Sequence, residues 1–219
     1  MRQYEWEPFY QGILNEFGYL RSEDETCGRL MESLTVNSNL VDEDYLTGIL
    51  KEDVTVLGDG GCIGRDIDRK GIPGTIVCAG ASVERLQGLG IVPDILVTDL
   101  DGDVGLQAEL NNSGVLAIVH AHGDNMHLVQ SDIQRFKGPI MTTMQSSPHG
   151  NLHNFGGFTD GDRAVCICSH FNVKRINLVG FDFNNATLRE GKDVETKIRK
   201  LAWARKIITY CKRYSDICF

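Results

Sequence analysis

Short apolar runs that end in glycine or acidic residues constrain the fold of this chain more than any other feature. They cover residues 54–57, 75–78, 95–97, 114–119, 140–144 and 175–179. Helical patterns separate most of these runs, and strands that alternate with helices are typical of a mostly parallel sheet flanked by helices. We therefore predict a Rossmann-like α/β domain over residues 51–219.

The residues before this domain predict a helical segment over residues 1–50. Apolar residues recur at helical spacing over residues 6–17, so the chain should open with an amphipathic helix that ends near Gly18. Two further helices are expected around residues 27–34 and 42–50. The aromatic stripe of the first helix is expected in the core, and these helices could also supply a contact between two copies of the chain.

The composition bounds the possible partners. The formal net charge of −8 gives no general attraction to nucleic acid or to anionic membrane surfaces, and no apolar run approaches the roughly 20 residues that span a bilayer. The seven cysteines form neither a paired framework nor a C-x-x-C unit, which favours reduced thiols. We expect a cytoplasmic protein that binds neither nucleic acid nor membranes.

The apolar run at residues 95–97 leads directly into three carboxylates, Asp99, Asp101 and Asp103. The carboxyl ends of strands are where open α/β sheets bind ligands, and hard oxygen ligands suit Mg²⁺ carried with a substrate phosphate. A solvated turn is the simpler interpretation, and Asp103 could be the N-cap of a following helix. An EF-hand calcium loop is excluded because Val104 stands where that loop needs glycine.

Two further predicted strands are also followed by acidic residues, which should lie at the same edge of the sheet. The run at residues 114–119 is followed by H-A-H-G-D-N, which contains Asp124, and the run at residues 175–179 is followed by G-F-D, which ends in Asp182. Because the carboxyl ends of parallel strands meet at one edge, we expect these acids to share a cleft with the first acidic motif. A simple turn is then a weaker explanation of that motif.

Glycine-rich turns supply candidates for binding a nucleotide. One turn follows residues 75–78, and a second reads N-F-G-G-F-T-D-G-D-R-A and opens a helix. Adjacent glycines let a backbone approach a ligand, and the N–H groups at a helix start can receive a phosphate. An arginine in the second turn offers a planar fork suited to phosphate. The candidates in these turns are Gly80, Ser82, Gly156, Gly157, Phe158, Thr159, Asp160, Asp162 and Arg163.

The closing helix combines an apolar stripe with two lysines. Its buried side is expected to carry Val194, Ile198, Leu201 and Ile208. Lys197 and Lys200 lie one turn apart on a neighbouring face, close enough to bind one polyphosphate together. The competing interpretation of the two lysines is an ordinary solvated helix surface.

Four motifs jointly resemble the archaeal 6-hydroxymethyl-7,8-dihydropterin pyrophosphokinase family, which is distantly similar to thiamine pyrophosphokinase. They are P-D-I-L-V-T-D-L-D-G-D at residues 93–103, H-A-H-G-D-N at 120–125, N-F-G-G-F-T-D-G-D-R-A at 154–164 and G-F-D at 180–182. The resemblance implies a cytoplasmic enzyme of archaeal tetrahydromethanopterin or folate-type biosynthesis. Its implied reaction is a Mg²⁺-dependent transfer of diphosphate from ATP to the hydroxymethyl group of a reduced pterin, with release of AMP.

The resemblance and the demands of the reaction together suggest roles for the candidate residues. Diphosphoryl transfer needs alignment and neutralisation of phosphate charge rather than a covalent nucleophile. Asp99, Asp101 and Asp124 would hold Mg²⁺, while Arg163 and the two lysines would offset charge on the phosphates and on AMP. The hydroxyl proton would pass to Asp124 or Asp182, and the spacing leaves both open. The loop at residues 58–62 reads G-D-G-G-C where the family has G-x-G-P-S, so its role is also open.

Other functions are compatible with parts of this pattern. His120, His122 and Asp124 have the ligand spacing of binuclear metal hydrolases, although Asn125 stands where that pattern needs histidine. A D-x-D pair would also suit a thiamine-type pyrophosphokinase, a nucleotide-sugar transferase or a nucleotide sensor without turnover. The residues that contact the pterin ring stay open among Asn151, His153, Asn154, Phe155, Phe181 and Phe183. The number of Mg²⁺ ions and the oligomeric state are open as well.

Overall fold

The computed structural model describes residues 1–183 and 193–219. Within them, eight strands form one sheet in the order β6-β5-β4-β3-β2-β1-β7-β8, and every pairing is parallel. The strands are β1 (Asp53–Leu57), β2 (Thr75–Ala79), β3 (Ile95–Thr98), β4 (Leu116–Ala121), β5 (Ile140–Met144), β6 (Leu152–His153), β7 (Arg175–Val179) and β8 (Asp216–Cys218). The predicted α/β fold class is confirmed.

Helices cover both faces of this sheet. They are α1 (Gln3–Phe17), α2 (Arg21–Leu34), α3 (Glu43–Ile49), α4 (Ile63–Lys70), α5 (Val83–Gly88), α6 (Val104–Asn112), α7 (Met126–Asp132), α8 (Asp160–His170) and α9 (Val194–Cys211). Alternate strand residues face two hydrophobic cores, so Ile95 and Val97 of β3 pack with α1, α3, α8 and α9, whereas Leu96 packs with α2 and α4 to α7. None of the helices in residues 1–183 and 193–219 combines the length and apolar character needed to cross a bilayer.

The predicted N-terminal helices are present. The first ends at Phe17 because Gly18 adopts a left-handed conformation with φ of 70°, and its N–H donates to the Leu14 carbonyl. Asp42 caps α3 by accepting a hydrogen bond from the Tyr45 backbone. The division of the chain at residue 50 stays a prediction, and α1 and α2 contribute to the two cores that also contain the strands.

The strand order reverses between β1 and β7. From β1 to β6 the chain adds strands on one side of β1, whereas β7 and β8 lie on its other side. Ligands of open α/β sheets bind outside the carboxyl ends of strands at such a reversal. The fold therefore directs attention to the loops that follow β1, β7 and the neighbouring strands.

Two details of the predicted elements were wrong. β4 ends at Ala121 rather than at residue 119, so His120 lies inside the strand and is fully buried. Val194 and Ile198 are 46% and 50% exposed instead of buried. The buried residues of α9, Ala204, Ile207, Ile208 and Cys211, all lie in its second half, because the first turns of this helix border a cleft rather than the core.

Candidate active site

The loops at the carboxyl ends of the strands enclose a cleft of about 340 Å³. The loops after β1, β2, β3, β4, β5 and β7 line it, together with Tyr19 and the first turns of α8 and α9. The structure brings the three acidic motifs together there, as the sequence predicts. The candidates that line the cleft are Asp99, Asp101, Asp124, Phe158, Thr159, Asp160, Asp182, Lys197 and Lys200.

The first acidic motif is a tight loop between β3 and α6. Leu100 has a φ of 67°, which is unusual for a residue with a branched side chain, and its side chain is fully buried. The Asp101 N–H donates to Asp99 Oδ1 at 3.2 Å, and Asp103 Oδ1 accepts from the Leu106 N–H at 3.0 Å. Asp103 is therefore the N-cap of α6, as predicted, while Asp99 and Asp101 face the cleft.

Two buried amide side chains, which the sequence analysis did not identify, hold this loop in place. Asn125 Nδ2 donates to the carbonyl oxygens of Asp99 at 2.8 Å and His120 at 2.7 Å, so it ties the ends of β3 and β4 together. Gln107 Nε2 donates to the Asp101 carbonyl at 2.7 Å. The strained backbone of the loop is thus fixed from two sides, which positions the carboxylates before any ligand binds.

Asp99 lies close to several ionisable side chains. Burial raises the pKa of Asp99, but the interaction with His122, whose Nε2 lies 3.6 Å from Asp99 Oδ2, outweighs it and lowers the pKa to about 2. Burial and the negative charge of Asp99 raise the pKa of Asp160 well above its usual range. Asp99 and Asp160 therefore repel each other when both are ionised, and a bound cation would relieve that repulsion.

The donor set suits Mg²⁺ that arrives with a phosphorylated ligand. In the part of the chain that the structure describes, no three His, Cys, Asp or Glu side chains are grouped closely enough to hold an ion by themselves. Mg²⁺ is usually bound by one or two carboxylates together with substrate phosphates and water, and rarely by an all-protein cage. Asp99 and Asp101 fit that type of site, whereas Asp124 as a third ligand stays a prediction.

Several candidate residues before and at the start of α8 make contacts within the protein and do not line the cleft. The Asp162 carboxylate accepts hydrogen bonds from the N–H groups of Phe158 at 2.7 Å and Thr159 at 2.8 Å, which forms a capping box with Thr159. A Cβ on Gly157, whose φ is 101°, would lie 2.3 Å from the Arg163 Cα. Gly156 packs against Met1. These glycines allow close packing within the chain, and neither lines the cleft.

Two predicted phosphate ligands are buried and do not line the cleft. Arg163 is 3% exposed, lies among the carboxylates of Asp99, Asp160 and Asp162, and donates from Nη2 to the Phe158 carbonyl at 3.3 Å. Arg163 does not line the cleft, whereas Asp99 and Asp160 beside it do, and its contact with a phosphate stays a prediction. Ser82 is fully buried, and its hydroxyl donates to the carbonyls of Leu57 and Ala79. The neighbouring Gly80 is buried too, and its N–H bonds to the Asp160 carboxylate.

The ligand set of a binuclear hydrolase is not assembled. His120 is fully buried, and its Nδ1 lies 3.0 Å from the Thr143 hydroxyl. Only His122 and Asp124 of the three predicted ligands reach the cleft. The prediction of His120 as a metal ligand was wrong because β4 extends to Ala121, which places His120 inside the sheet.

Cationic and aromatic side chains form one wall of the cleft. Lys200 Nζ lies 5.4 Å from the centre of the Phe158 ring and 5.9 Å from that of Tyr19. Lys197 lies one turn earlier in α9 and also borders the cleft. The two lysines therefore face the same cavity as the acidic loop, although Val194 and Ile198 beside them are exposed.

The glycine loop after β1 packs against the loop after β7. The N–H of Gly58 donates to the Val179 carbonyl at 2.9 Å, and the N–H of Gly60 donates to the Gly180 carbonyl at 2.8 Å. A Cβ on Gly60 would lie 2.5 Å from that carbonyl oxygen. Glycine is required there because the two loops touch, and the contact helps to hold Asp182 at the cleft.

The structure narrows the set of residues that could contact an aromatic ligand. Asn151, His153, Asn154 and Phe155 do not line the cleft, whereas Phe181 and Phe183 do. Phe155 is buried in the core, and Asn154 Nδ2 donates to the backbone carbonyls of Gln145 and Ser146. Tyr19 and Gln145 line the cleft although the sequence analysis did not identify them. Gln145 directly follows β5, the same signal that identified the acids.

Comparisons with known proteins agree with this arrangement. The family model described as 6-hydroxymethylpterin diphosphokinase MptE-like matches residues 69–187. A curated protein from Pyrococcus furiosus named 6-hydroxymethyl-7,8-dihydropterin pyrophosphokinase is 34% identical over 97% of this chain and 95% of its own length. Proteins of the same name from Methanocaldococcus jannaschii and Methanothermobacter thermautotrophicus are 31% and 33% identical, cover 98% and 97% of this chain, and match over 98% and 96% of their own lengths. The resemblance inferred from the four motifs is confirmed.

Proposed function

The chain belongs to the MptE-like 6-hydroxymethylpterin diphosphokinase family, and we propose that it transfers diphosphate from ATP to the hydroxymethyl group of 6-hydroxymethyl-7,8-dihydropterin, with Mg²⁺ as cofactor and AMP as the second product. The observation that carries this proposal is that Asp99 and Asp101 line the same cleft as Lys197 and Lys200. Carboxylates that hold a cation and lysines that contact phosphate are what a polyphosphate donor requires. We further propose that the reaction serves tetrahydromethanopterin or folate-type biosynthesis in the cytoplasm.

The residues of the cleft would act by positioning and by charge. Mg²⁺ held by Asp99 and Asp101 would supply charge neutralisation on the phosphate oxygens. Lys197 and Lys200 would bind the phosphates and stabilise the negative charge that remains on AMP. The hydroxymethyl oxygen must lose its proton as it attacks the β-phosphorus, and we propose Asp124 or Asp182, which both line the cleft, as the carboxylate that accepts it.

Direct measurement of AMP tests the proposed reaction. The purified protein is incubated with ATP, Mg²⁺ and 6-hydroxymethyl-7,8-dihydropterin, and AMP is followed by chromatography. We expect AMP to form in proportion to the pterin consumed, and no AMP to form when EDTA is added. Thiamine in place of the pterin serves as the control for the alternative acceptor. Equal AMP formation with and without the pterin would show that the proposed function is wrong.

Replacing Lys200 by Met is expected to raise the KM for ATP by about 10-fold with little change in the KM for the pterin. The substitution keeps the apolar stem that packs near Phe158 and removes the charge that would contact phosphate, and one such contact is worth roughly a factor of ten. The matched control is Lys206→Met, because Lys206 lies on the same helix with its Nζ 4.4 Å from the Trp203 ring and does not line the cleft. Steady-state kinetics with each substrate varied in turn measures both values. An unchanged KM for ATP in Lys200→Met would remove Lys200 from the phosphate site.

A further inference from the structure

The cleft has two sides that flank the acidic loop of β3. On one side lie the ends of β4 and β5, with His122, Asp124 and Gln145, and Tyr19 closes that side. On the other side lie the ends of β2, β1 and β7. Neighbouring strands are about 4.8 Å apart, so the end of β5 is about 10 Å from the end of β3. We call the region at the ends of β4 and β5 the β5 side; it is defined by Tyr19, His122, Asp124 and Gln145.

Gln145 combines a firmly held backbone with a side-chain oxygen that has no hydrogen-bond partner in the described part of the chain. It is 4% exposed, and its backbone carbonyl accepts hydrogen bonds from Trp6 Nε1 at 2.8 Å and from Asn154 Nδ2 at 2.9 Å, so the residue is firmly held. Its side-chain oxygen is buried and has no hydrogen-bond partner among residues 1–183 and 193–219. An amide oxygen buried in this way is costly unless a ligand supplies a donor. Gln145 is one of the residues that line the cleft, so a bound molecule would lie next to it.

The chemistry of the two substrates decides which of them suits this position. The pyrimidinone ring of a pterin presents N–H donors, from N3 and from the 2-amino group, along one edge. In ATP the N–H and O–H donors belong to the adenine and the ribose, whereas the phosphates present only acceptors and negative charge. Acidic side chains border the β5 side, since Asp124 lines it and Glu23 lies in the adjoining pocket. Donor groups are therefore favoured beside these acids, whereas phosphates are favoured beside Lys200, whose Nζ lies 5.9 Å from the Tyr19 ring at the border of this side.

The other side of the cleft has the features expected for the nucleotide. It lies at the reversal of strand order between β1 and β7, where α/β sheets bind nucleotides. Phe181 and Phe183 line it and could contact the adenine ring. In-line transfer requires the acceptor and the departing AMP on opposite sides of the reacting phosphorus. A nucleotide at the β1–β7 reversal therefore places the acceptor on the β5 side.

We propose that the β5 side is the subsite for the pterin ring and that Gln145 accepts a hydrogen bond from the N–H edge of its pyrimidinone ring. Tyr19 forms the wall of this subsite. The inference rests on the proposed function, because it assigns the place of the acceptor within the same cleft. Asp124 lies on the acceptor side of the acidic loop and Asp182 lies on the nucleotide side, so the hydroxyl proton would pass to Asp124.

Binding of the two ligands to Gln145→Leu tests the proposal. The probe for the subsite is oxidised 6-hydroxymethylpterin, whose fluorescence reports binding without turnover, and the probe for the other side is a Mg²⁺ complex of a non-hydrolysable ATP analogue, followed by calorimetry. We expect the Kd of the pterin to rise by about 10- to 100-fold, the effect of losing one buried hydrogen bond, with the Kd of the nucleotide unchanged within about twofold. In turnover, the KM for the pterin should rise while that for ATP does not.

The matched control is Ser146→Ala. Ser146 is 1% exposed and its hydroxyl also lacks a partner in the described part of the chain, but it does not line the cleft. This variant should bind both ligands as the wild type does. If Gln145→Leu does not fold, Gln145→Asn provides the same test, because it keeps the amide but withdraws it from the cleft by one carbon.

The outcomes separate the inference from the proposed function. Wild-type protein that forms AMP with the pterin, together with Gln145 variants that bind pterin normally, would overturn the subsite and leave the proposed function intact. Wild-type protein that neither binds the pterin nor forms AMP would overturn both. Weakened pterin binding in Ser146→Ala as well as in Gln145→Leu would also overturn the subsite, because the effect would then follow from packing.

Discussion

Replacing Asp101 by Asn should lower the rate of pterin-dependent AMP formation by about 1,000-fold or more without changing the fold. The Asp101 side chain is exposed at the cleft, so its loss removes no core contact. An amide is a much poorer ligand than a carboxylate for Mg²⁺, and the charge stabilisation that a bound cation supplies is worth several kcal/mol, which corresponds to roughly three powers of ten in rate. The rate is measured by AMP release at saturating ATP and pterin over a range of Mg²⁺ concentrations.

Asp103→Asn is the matched control for this variant. Asp103 lies two residues further along the same loop, and its carboxylate caps α6 through the Leu106 N–H. Asn caps helices about as well as Asp, so stability and activity should both stay close to the wild-type values. Equal loss of activity in the two variants would indicate a general effect of loop charge. Unchanged activity in Asp101→Asn would remove Asp101 from the metal site.

The fold was predictable because each strand carries its own local signal. Runs such as residues 95–97 and 175–179 are short, apolar and followed by turn residues, and a parallel sheet buries its strands on both faces. The same signal located the cleft, because residues that directly follow a strand lie at its carboxyl end. Asp103 as a helix cap was predictable for a similar reason, since capping depends on residues three positions apart.

The burial of individual side chains was not predictable from residue type. Arg163 and Ser82 look like phosphate ligands in the sequence, but both are buried, and the Ser82 hydroxyl donates to the carbonyls at the ends of β1 and β2. His120 was misplaced because the hydrophobic pattern marks the apolar part of β4, while the strand continues through two more residues. Gln145 carries no charge, so no charge pattern indicated it. Its position is fixed by hydrogen bonds from Trp6 and Asn154, which no sequence motif predicts.

Asn125 illustrates how a long-range contact supports the site. It is 3% exposed, its Nδ2 donates to the carbonyls of Asp99 and His120, and its Oδ1 accepts from the His122 N–H at 2.9 Å. These bonds join the loop that carries the acidic pair to the loop that carries Asp124. No hydrophobic period or charge pattern marks such a residue.

We expect Asn125→Leu to lower the free energy of unfolding by about 3 to 5 kcal/mol, because a side chain of similar size would leave buried carbonyls and an N–H without partners. For a chain of this length that loss corresponds to a fall in Tm of roughly 10 °C. Activity should fall as well, since the Asp99 backbone loses its anchor to β4.

Asn112→Leu provides the comparison, because Asn112 also bonds to two backbone groups, the Lys137 N–H at 2.8 Å and the Arg135 carbonyl at 3.2 Å, but is exposed. Water can replace those bonds, so its loss should cost no more than about 1 kcal/mol. Denaturant and thermal unfolding of both variants, with AMP release measured at a temperature where each is folded, separates stability from activity. A Tm for Asn125→Leu equal to that of Asn112→Leu would show that Asn125 does not hold the two loops together, and the positioning of Asp99 would then need another cause.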